Sequence, residues 1–335
     1  MRRDAVLIRP RRRYNGSTVR ESTLLEYICG HDRPWPPDVA IPPGDDLALV
    51  RIGDADVLMG TDQVADGIHF DLTDCPLALV ARKALTRNLS DVAAMAARPV
   101  CAVAATMLPR TFEQAKAEEL VDHLHRVAGV FHCPVVGGDV AIWDGPLQLS
   151  VTIIAEPDGI APVRRVGAQA DDVICVSGRL GGSLETVDGA AHHLTFEPRI
   201  ALARCLAGDA AMRPGCMIDL SDGLAIDLER LCTASGLGAE VAVERLPIAE
   251  AAHIAEKRDG RPAWEHAVGD GEDYELLFTL SPQQAEQLLP FAHDGVVVTD
   301  VGRMRGAASG ISVVFHLDDG SVRGRDDLGW EHRGR

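Results

Sequence analysis

The sequence predicts an α+β protein made of two α/β-layered domains. Its 335 residues exceed what one hydrophobic core usually needs and are enough for two. Strand-like and helical patterns mix along the chain without the strict alternation of a doubly wound sheet. A loop rich in turn residues at 156–162 separates the halves. We therefore predict a disordered extension at 1–20, an N-terminal domain at 21–160 and a C-terminal domain at 161–335.

The strands are predicted from short apolar runs bounded by turn residues. In chain order, these runs cover residues 56–60, 100–108, 147–155, 172–176, 239–243, 274–280, 296–301 and 311–317. Between the first two of these runs, residues 76–97 carry apolar side chains at helical spacing, which predicts a long helix.

Capping signals predict three further helices. Thr111 and Gln114 form a capping-box pattern for a helix that ends near residue 130. Gly236 is a stop signal for a helix over 222–235, and Ser281 precedes a proline that suits the first position of another helix.

Composition excludes several function classes. The net charge of -17 disfavours a nucleic-acid partner, because an acidic surface repels a phosphate backbone. The eight cysteines form no C-x-x-C pair, so a zinc site has little support and reduced core cysteines of a cytoplasmic protein are expected. The apolar run in the basic N-terminal segment is too short for a signal peptide or a membrane span, so no membrane partner is expected.

Acidic residues recur in turns rich in glycine, serine or threonine. The acids concerned are Asp45, Asp46, Asp62, Asp91, Asp139, Asp219, Asp222, Glu272 and Asp273. Any one of these turns is more often a plain turn than a ligand site, because Asp and Gly favour turns on their own account. Their number favours a site for several Mg²⁺ ions, which prefer carboxylate oxygens and share phosphate oxygens with a substrate. Asp219 and Asp222 would share one face if that segment were helical.

Standard nucleotide-binding motifs are missing from the chain. There is no G-x-x-x-x-G-K-[ST] loop and no G-x-G-x-x-G turn after a strand. The G-x-S-x-G elbow of many serine hydrolases is also missing, which disfavours a serine-hydrolase activity.

Five segments resemble, in their joint order, the signature blocks of the thiamine-monophosphate kinases, within the family that also holds aminoimidazole-ribotide synthetase and selenophosphate synthetase. They are PGDDLALV at 43–50, GTDQVADGIHF at 60–70, KALTRNLSDVAAM at 83–95, MIDLSDGL at 217–224 and GEDYELLF at 271–278. Shorter matches at 137–139, 165–168 and 329–332 follow the same order. The resemblance implies an aminoimidazole-ribotide synthetase-like fold, phosphorylation of thiamine monophosphate by ATP, and a homodimer formed through the N-terminal, ATP- and metal-binding domain.

Carried over position by position, the resemblance also implies site residues. Those expected to bind several Mg²⁺ ions are Asp46, Thr61, Asp62, Asp91, Asp139, Asp219 and Asp222. Those expected to contact ATP are Gly138, Asp139, Arg165 and Ser221, and those expected to hold thiamine monophosphate are His69, Glu272 and Trp330. No side chain is expected to act as a catalytic base, because a phosphomonoester with its second pKa near about 6 is largely dianionic at neutral pH.

The chain departs from the family pattern in places. Gly60 stands where a Ser or Thr is usual, and Val140 and Ala141 replace two threonines. Two alternatives therefore stay open. One is a related ATP-dependent synthetase with another substrate, and the other is a non-catalytic homologue that binds nucleotide without turnover.

Overall fold

The computed structural model describes residues 21–29, 34–306, 312–325 and 328. Helix α1, Glu21–Cys29, belongs to a unit of its own. The described residues from Pro34 onward form one compact unit, which contains every other element. The predicted extension at 1–20 lies outside the described residues. Within the described part of the chain, no helix is both long and apolar enough to cross a membrane.

The first sheet has six strands in the order β1-β2-β3-β6-β4-β5. Its strands are β1 Val39–Ile41, β2 Ala48–Ile52, β3 Ala55–Ala65, β4 Arg98–Pro109, β5 Val135–Trp143 and β6 Gln148–Glu156. β4 and β5 run parallel, and the other neighbours pair antiparallel. Along β6 buried residues alternate with half-buried ones, as expected for a strand with one face on a core.

Two helices cover that face of the first sheet. They are α2, Leu77–Ala94, and α3, Gln114–Val130. Leu85 and Leu89 of α2 pack with Leu58, Val151 and other sheet residues in one apolar cluster. Helix α2 is also in contact with elements of the second half of the chain, so it is buried nearly all round.

The second sheet follows the order β10-β12-β7-β14-β11-β15-β16, and β13 pairs with β14. Its strands are β7 Val173–Ser177, β10 Met217–Asp219, β11 Leu237–Ala242, β12 Leu276–Leu280, β13 Phe291–His293, β14 Val296–Gly306, β15 Val313–His316 and β16 Val322–Gly324. A small hairpin of β8, Thr186–Val187, and β9, Ala190–Ala191, stands apart from it. The helices of this half are α4 His192–Thr195, α5 Ile200–Gly208, α6 Leu224–Ser235, α7 Glu250–Asp259, α8 Ala263–Gly269 and α9 Pro282–Leu288.

The second sheet is covered on both faces. Along β7, Ile174 and Val176 join the apolar cluster that contains Leu228 of α6. The alternate residues Val173 and Cys175 join a different cluster, which also contains residues of α5 and the end of α2. Both faces are covered, so β7 and β12 are buried along their whole length and are mostly apolar.

The structure confirms the α+β class, the predicted strands and the long helix over 76–97. The helix predicted after Ser281, with proline at its first position, is also confirmed. It has a capping box, since the Ser281 side chain accepts from the Gln284 N–H and the Gln284 side chain accepts from the Ser281 N–H. The capping box at Thr111 is wrong, because that helix begins at Gln114 after an N-cap at Glu113 that makes no side-chain capping bond.

The idea that Asp219 and Asp222 share a helix face is also wrong. Asp219 ends strand β10, and Asp222 lies in the loop that follows. Helix α6 begins only at Leu224, after Gly223, whose φ of 99° lies in a region that side-chain-bearing residues avoid.

Candidate active site

Three carboxylates converge where the two halves of the compact unit meet. Asp46 precedes β2, Asp91 lies in the last turn of α2, and Asp219 ends β10. One oxygen from each lies within 4.8 Å of the others. These residues are far apart in sequence and come from both halves, so the cluster exists only because α2 packs against both. We call Asp46, Asp91 and Asp219 the acid cluster.

Burial and mutual repulsion oppose ionisation within the acid cluster. Burial, then the charges of Asp62, Asp219 and Asp46, hold the pKa of Asp91 well above its usual range. Burial and the charge of Asp46 likewise raise the pKa of Asp219 to about 8. A proton or a bound cation can relieve this repulsion, and carboxylate oxygens are the ligands that Mg²⁺ prefers.

Hydrogen bonds from neighbouring groups orient two of these acids. Ser90 donates to Asp219 across 2.7 Å. Arg165 donates to both oxygens of Asp46, at 2.7 Å and 3.3 Å, in a forked contact. The Arg165 N–H donates to Asp45, so the adjacent acid holds the backbone of the same arginine.

Asp62 lies on β3, beside the acid cluster. Its N–H donates to the Asn88 side chain at 3.1 Å, and its carboxylate is 3.5 Å from Nε of Arg87. The charge of Asp62 contributes to the raised pKa of Asp91, which places it within electrostatic reach of the cluster.

Asp222 is held by a pair that the sequence analysis missed. Arg230 on α6 donates to Asp222 at 2.5 Å and to Asp227 at 2.6 Å, while Asp227 accepts from the Asp222 N–H. Burial raises the pKa of Asp227 to about 7, although the charge of Arg230 opposes this. Asp227 therefore fixes the loop that carries Asp222, and its place one turn into a helix gave no sign of that role.

A second polar group lies around Glu272. Lys83, fully buried on α2, donates to Glu272 at 2.5 Å and to the carbonyl of His69 at 2.9 Å. His193 on α4 is 2.9 Å from the same Glu272 oxygen and 2.5 Å from the Lys83 amine. Lys83 thus joins the two predicted substrate residues, His69 and Glu272, although neither Lys83 nor His193 was among the predicted site residues.

The charges around Glu272 fix it as a carboxylate. Burial alone would raise its pKa, but the hydrogen bond with His193 and the charge of Lys83 outweigh burial and lower the pKa to about 2. Burial lowers the pKa of Lys83 to about 8, with Glu272 acting against that change. The result is a buried ion pair that constrains α2 against the loop before β12.

The two loops that carry the second-half residues lie side by side. The Glu272 N–H donates to the Ser221 carbonyl at 2.7 Å, and the Tyr274 N–H donates to Leu220 at 2.8 Å. Glu272 and Tyr274 have φ values of 55° and 51°, which are unusual for residues with side chains. Such local strain is common at functional sites.

Other predicted site residues are not gathered around the acid cluster. Thr61 uses its hydroxyl within the sheet, donating to the Val151 carbonyl and accepting from Thr152, each at 3.1 Å. Gly138 and Asp139 lie on β5, an exposed strand at one end of the first sheet. Trp330 lies outside the described residues.

Gly60 has a packing reason to lack a side chain. A Cβ added at this position would lie 2.5 Å from the Leu47 side chain, closer than such contacts allow. Leu47 is buried in the first core, directly after Asp46. The Ser or Thr that the resemblance leads us to expect at this position is therefore absent because its side chain would clash with the buried Leu47.

Comparisons with known proteins agree with this geometry. Residues 44–156 match the family model "AIR synthase related protein, N-terminal domain". The thiamine-monophosphate kinase of Rhodopirellula baltica is 37% identical over 294 residues, covering 85% of this chain and 90% of the relative. The chain belongs to the thiamine-monophosphate kinase family. The family member from Salmonella typhimurium is 33% identical over 313 residues, covering 88% of this chain and 92% of its own.

Solved structures extend the same conclusion. AaThiL complexed with AMPPCP and TMP superimposes with a TM-score of 0.74 at 26% identity, covering 93% of this chain and 96% of its own. The HypE-HypF complex contains a chain with a TM-score of 0.71 at 16% identity, covering 91% of this chain and 98% of its own. The second match shows only the shared fold. Together they confirm the predicted fold class for this thiamine-monophosphate kinase family member.

Proposed function

We propose that the protein transfers a phosphoryl group from ATP directly to the phosphate of thiamine monophosphate, forming thiamine diphosphate. The observation that carries this proposal is the convergence of Asp46, Asp91 and Asp219, with carboxylate oxygens within 4.8 Å. The relatives named above are thiamine-monophosphate kinases, and one solved relative is a complex with AMPPCP and TMP.

The acid cluster is proposed to hold Mg²⁺. Burial, with repulsion between the acids added to it, raises the pKa values of Asp91 and Asp219, and a hard divalent cation bound between the carboxylates would relieve both. We propose that Asp62, whose charge acts on Asp91, and Asp222, three residues after Asp219, extend the site. Thr61 and Asp139 remain proposed ligands by resemblance. When bound, the cations would neutralise part of the negative charge of the phosphates.

The nucleotide is proposed to lie on the Arg165 side of the acid cluster. Arg165 points its planar fork at Asp46, and the same fork suits a phosphate. Ser221 belongs to the loop beside Asp219, which supports a nucleotide contact there. Gly138 and Asp139 remain proposed ATP contacts by resemblance.

Thiamine monophosphate is proposed to lie on the opposite side, toward Glu272. Glu272 is an ionised carboxylate close to the His69 loop, where it is paired with Lys83 and lies beside His193. The resemblance assigns both His69 and Glu272 to this substrate, and the Glu272 carboxylate is the acceptor proposed for the thiamine ring system. Trp330 remains a proposed ring contact by resemblance.

This arrangement accounts for catalysis without a side-chain base. The acceptor phosphate is already ionised, so the obstacle is repulsion between two polyanions. At roughly 4 Å, two unit charges repel by about 4 kcal/mol at an effective dielectric of 20. Arg165 and the cations bound by the acid cluster would offset that repulsion, and the remaining contribution of the protein is positioning.

A homodimer is proposed to form through β5. In the single chain, Val136, Val140 and Ile142 on this strand are each more than 60% exposed, and Val140 and Ile142 lie on one face. An apolar strand at the end of a sheet is a common surface for association.

We also propose that the enzyme works in the cytoplasm, where its eight free thiols would stay reduced. Residues 21–160 and 161–335 are proposed to be its two domains.

The deciding experiment is a product assay with purified protein, ATP, Mg²⁺ and thiamine monophosphate. We expect thiamine diphosphate and ADP in equal amounts, and no product in EDTA. ATP binding without any product would instead indicate a non-catalytic homologue. ATP hydrolysis that thiamine monophosphate does not stimulate would indicate a related enzyme with another substrate.

A further inference from the structure

Two buried donor groups next to the acid cluster lack a hydrogen-bond partner among the residues that the structure describes. They are Nε of Arg87, on α2, which lies 3.5 Å from the Asp62 carboxylate without a hydrogen bond to it, and the hydroxyl of Tyr274, in the loop before β12. Buried donors without a partner are rare in folded proteins, because each loses its hydrogen bond to water and gains none. Two of them on neighbouring elements indicate that an acceptor belongs between them.

Neither side chain is loosely held. The Tyr274 ring stacks on Phe196, with centroids 4.0 Å apart and planes inclined by 17°. Arg87 donates from its terminal nitrogen to the Gln63 carbonyl at 3.1 Å, and its side chain is only 15% exposed. The two donors are therefore fixed in position before any ligand arrives.

The charges around the two donors locate them between the proposed subsites. Of the charges acting on the Tyr274 hydroxyl, Arg87 is the strongest, followed by Glu272, Asp62 and Asp219. The charges acting on Arg87 come from Asp62, Glu272 and Asp91, and the Tyr274 hydroxyl lies within the same electrostatic reach. Both donors therefore lie between the Asp62 side of the acid cluster and Glu272.

We propose that Arg87 and Tyr274 bind the phosphate of the acceptor substrate, thiamine monophosphate; this inference rests on the proposed function. A phosphate oxygen accepts from both donors, and a guanidinium is the side chain best shaped for it. The position satisfies both ends of the substrate, with the ring toward Glu272 and the phosphate toward the acid cluster. Arg87 also supplies a positive charge that does not depend on bound cations.

The test compares thiamine monophosphate with thiamine, which lacks the phosphate. Binding of each is measured by calorimetry in Mg²⁺, without ATP, for the wild type, Tyr274→Phe and Arg87→Gln. We expect Tyr274→Phe to raise the Kd for thiamine monophosphate roughly tenfold, and Arg87→Gln to raise it by roughly 10- to 100-fold. Neither variant should change the Kd for thiamine. Arg204→Gln is the matched control, because Arg204 bonds to Asp158 and nearby carbonyls away from the site.

Thermal melting separates binding from folding. Tyr274→Phe removes a buried hydroxyl without a partner, so the ligand-free variant should melt at the wild-type temperature or above it. If Arg87→Gln does not fold, the affinity of Tyr274→Phe for thiamine monophosphate alone tests the inference. The inference would be overturned if Tyr274→Phe bound thiamine monophosphate with wild-type affinity, which is the result expected if a water bonds to the two donors. Equal losses of affinity for thiamine monophosphate and thiamine would also overturn it. Failure of the wild type to bind thiamine monophosphate would instead overturn the proposed function.

Discussion

Ser90 donates a 2.7 Å hydrogen bond to Asp219, a residue 129 positions later in the chain. Ser90 belongs to the Leu-Ser-Asp segment at 89–91, and Asp219 directly precedes a second such segment at 220–222. The bond fastens the last turn of α2 to the end of β10. It thereby fixes the separation between Asp91 and Asp219, on which the proposed cation site depends.

Asp219→Asn should separate folding from cation binding. Asparagine keeps an oxygen for the Ser90 hydrogen bond and removes a charge that Asp46 opposes, so the cation-free variant should melt at the wild-type temperature or a few degrees higher. The melting temperature of the wild type should rise with Mg²⁺, and that of the variant should not. Turnover should fall by roughly a thousandfold or more. The measurement is thermal melting with and without Mg²⁺, beside the product assay.

The control for this variant is Asp158→Asn, which changes an acid paired with Arg204 away from the cluster. It should keep the full response to Mg²⁺. If Asp219→Asn responds to Mg²⁺ as the wild type does, the acid cluster is not the cation site.

Arg165→Lys should act mainly on the nucleotide. Lysine keeps the charge near Asp46 but loses the fork that reaches both of its oxygens. We expect the KM for ATP to rise roughly tenfold and the KM for thiamine monophosphate to change less than twofold. Steady-state kinetics with each substrate varied in turn measure both constants. An equal rise in the two constants would show that Arg165 does not belong to a separate nucleotide subsite.

The sequence could predict the elements whose patterns are local. Helix α2 has apolar residues at helical spacing, and β7 is an uninterrupted apolar run, so both were found. Strand β5 was missed, because Gly137 and Gly138 interrupt its apolar pattern with residues that disfavour strands. Gly138 is nevertheless required there, since a Cβ would lie 1.7 Å from the Ala104 carbonyl oxygen of the neighbouring strand.

The site was predictable only as far as its residues form recognisable blocks. Asp46, Asp91 and Asp219 were found in this way, and the structure brings them together. Lys83 lies within one of the same blocks but was not singled out, because a lysine in a helix normally faces water. Its burial depends on Glu272, which is 189 residues away in the chain. No pattern within a single helix reports such a partner.

The Glu272 carboxylate should make stability depend on pH in the acid range. Its folded pKa of about 2 lies below the ordinary 4.5, so it stabilises the fold above pH 4.5 and this contribution is lost as the pH falls toward 2. From these two values, the contribution should decrease by roughly 1 kcal/mol between pH 5.5 and 3.5. Urea unfolding of the wild type and Glu272→Gln at both pH values measures it.

The difference in unfolding free energy between these two proteins should therefore shrink on acidification. Glu197→Gln, which changes an exposed carboxylate paired with Arg82, is the control and should show a smaller change. A difference that stays constant or grows as the pH falls would contradict the buried ion pair with Lys83.

Val140→Asp should convert the proposed dimer into a monomer. Val140 is 65% exposed on β5, on the same face as Ile142, so a partner that covers this face would have to bury the new charge. Light scattering coupled to gel filtration measures the mass, which should fall from twice 35.9 kDa to that of one chain. Val322→Asp, at a valine 52% exposed on β16 of the second sheet, is the matched control and should stay dimeric. If Val140→Asp keeps the mass of the wild-type dimer, the two chains associate through another surface. If the wild type itself has the mass of one chain, β5 is not a dimer interface at the concentration used, and the exposed valines need another explanation.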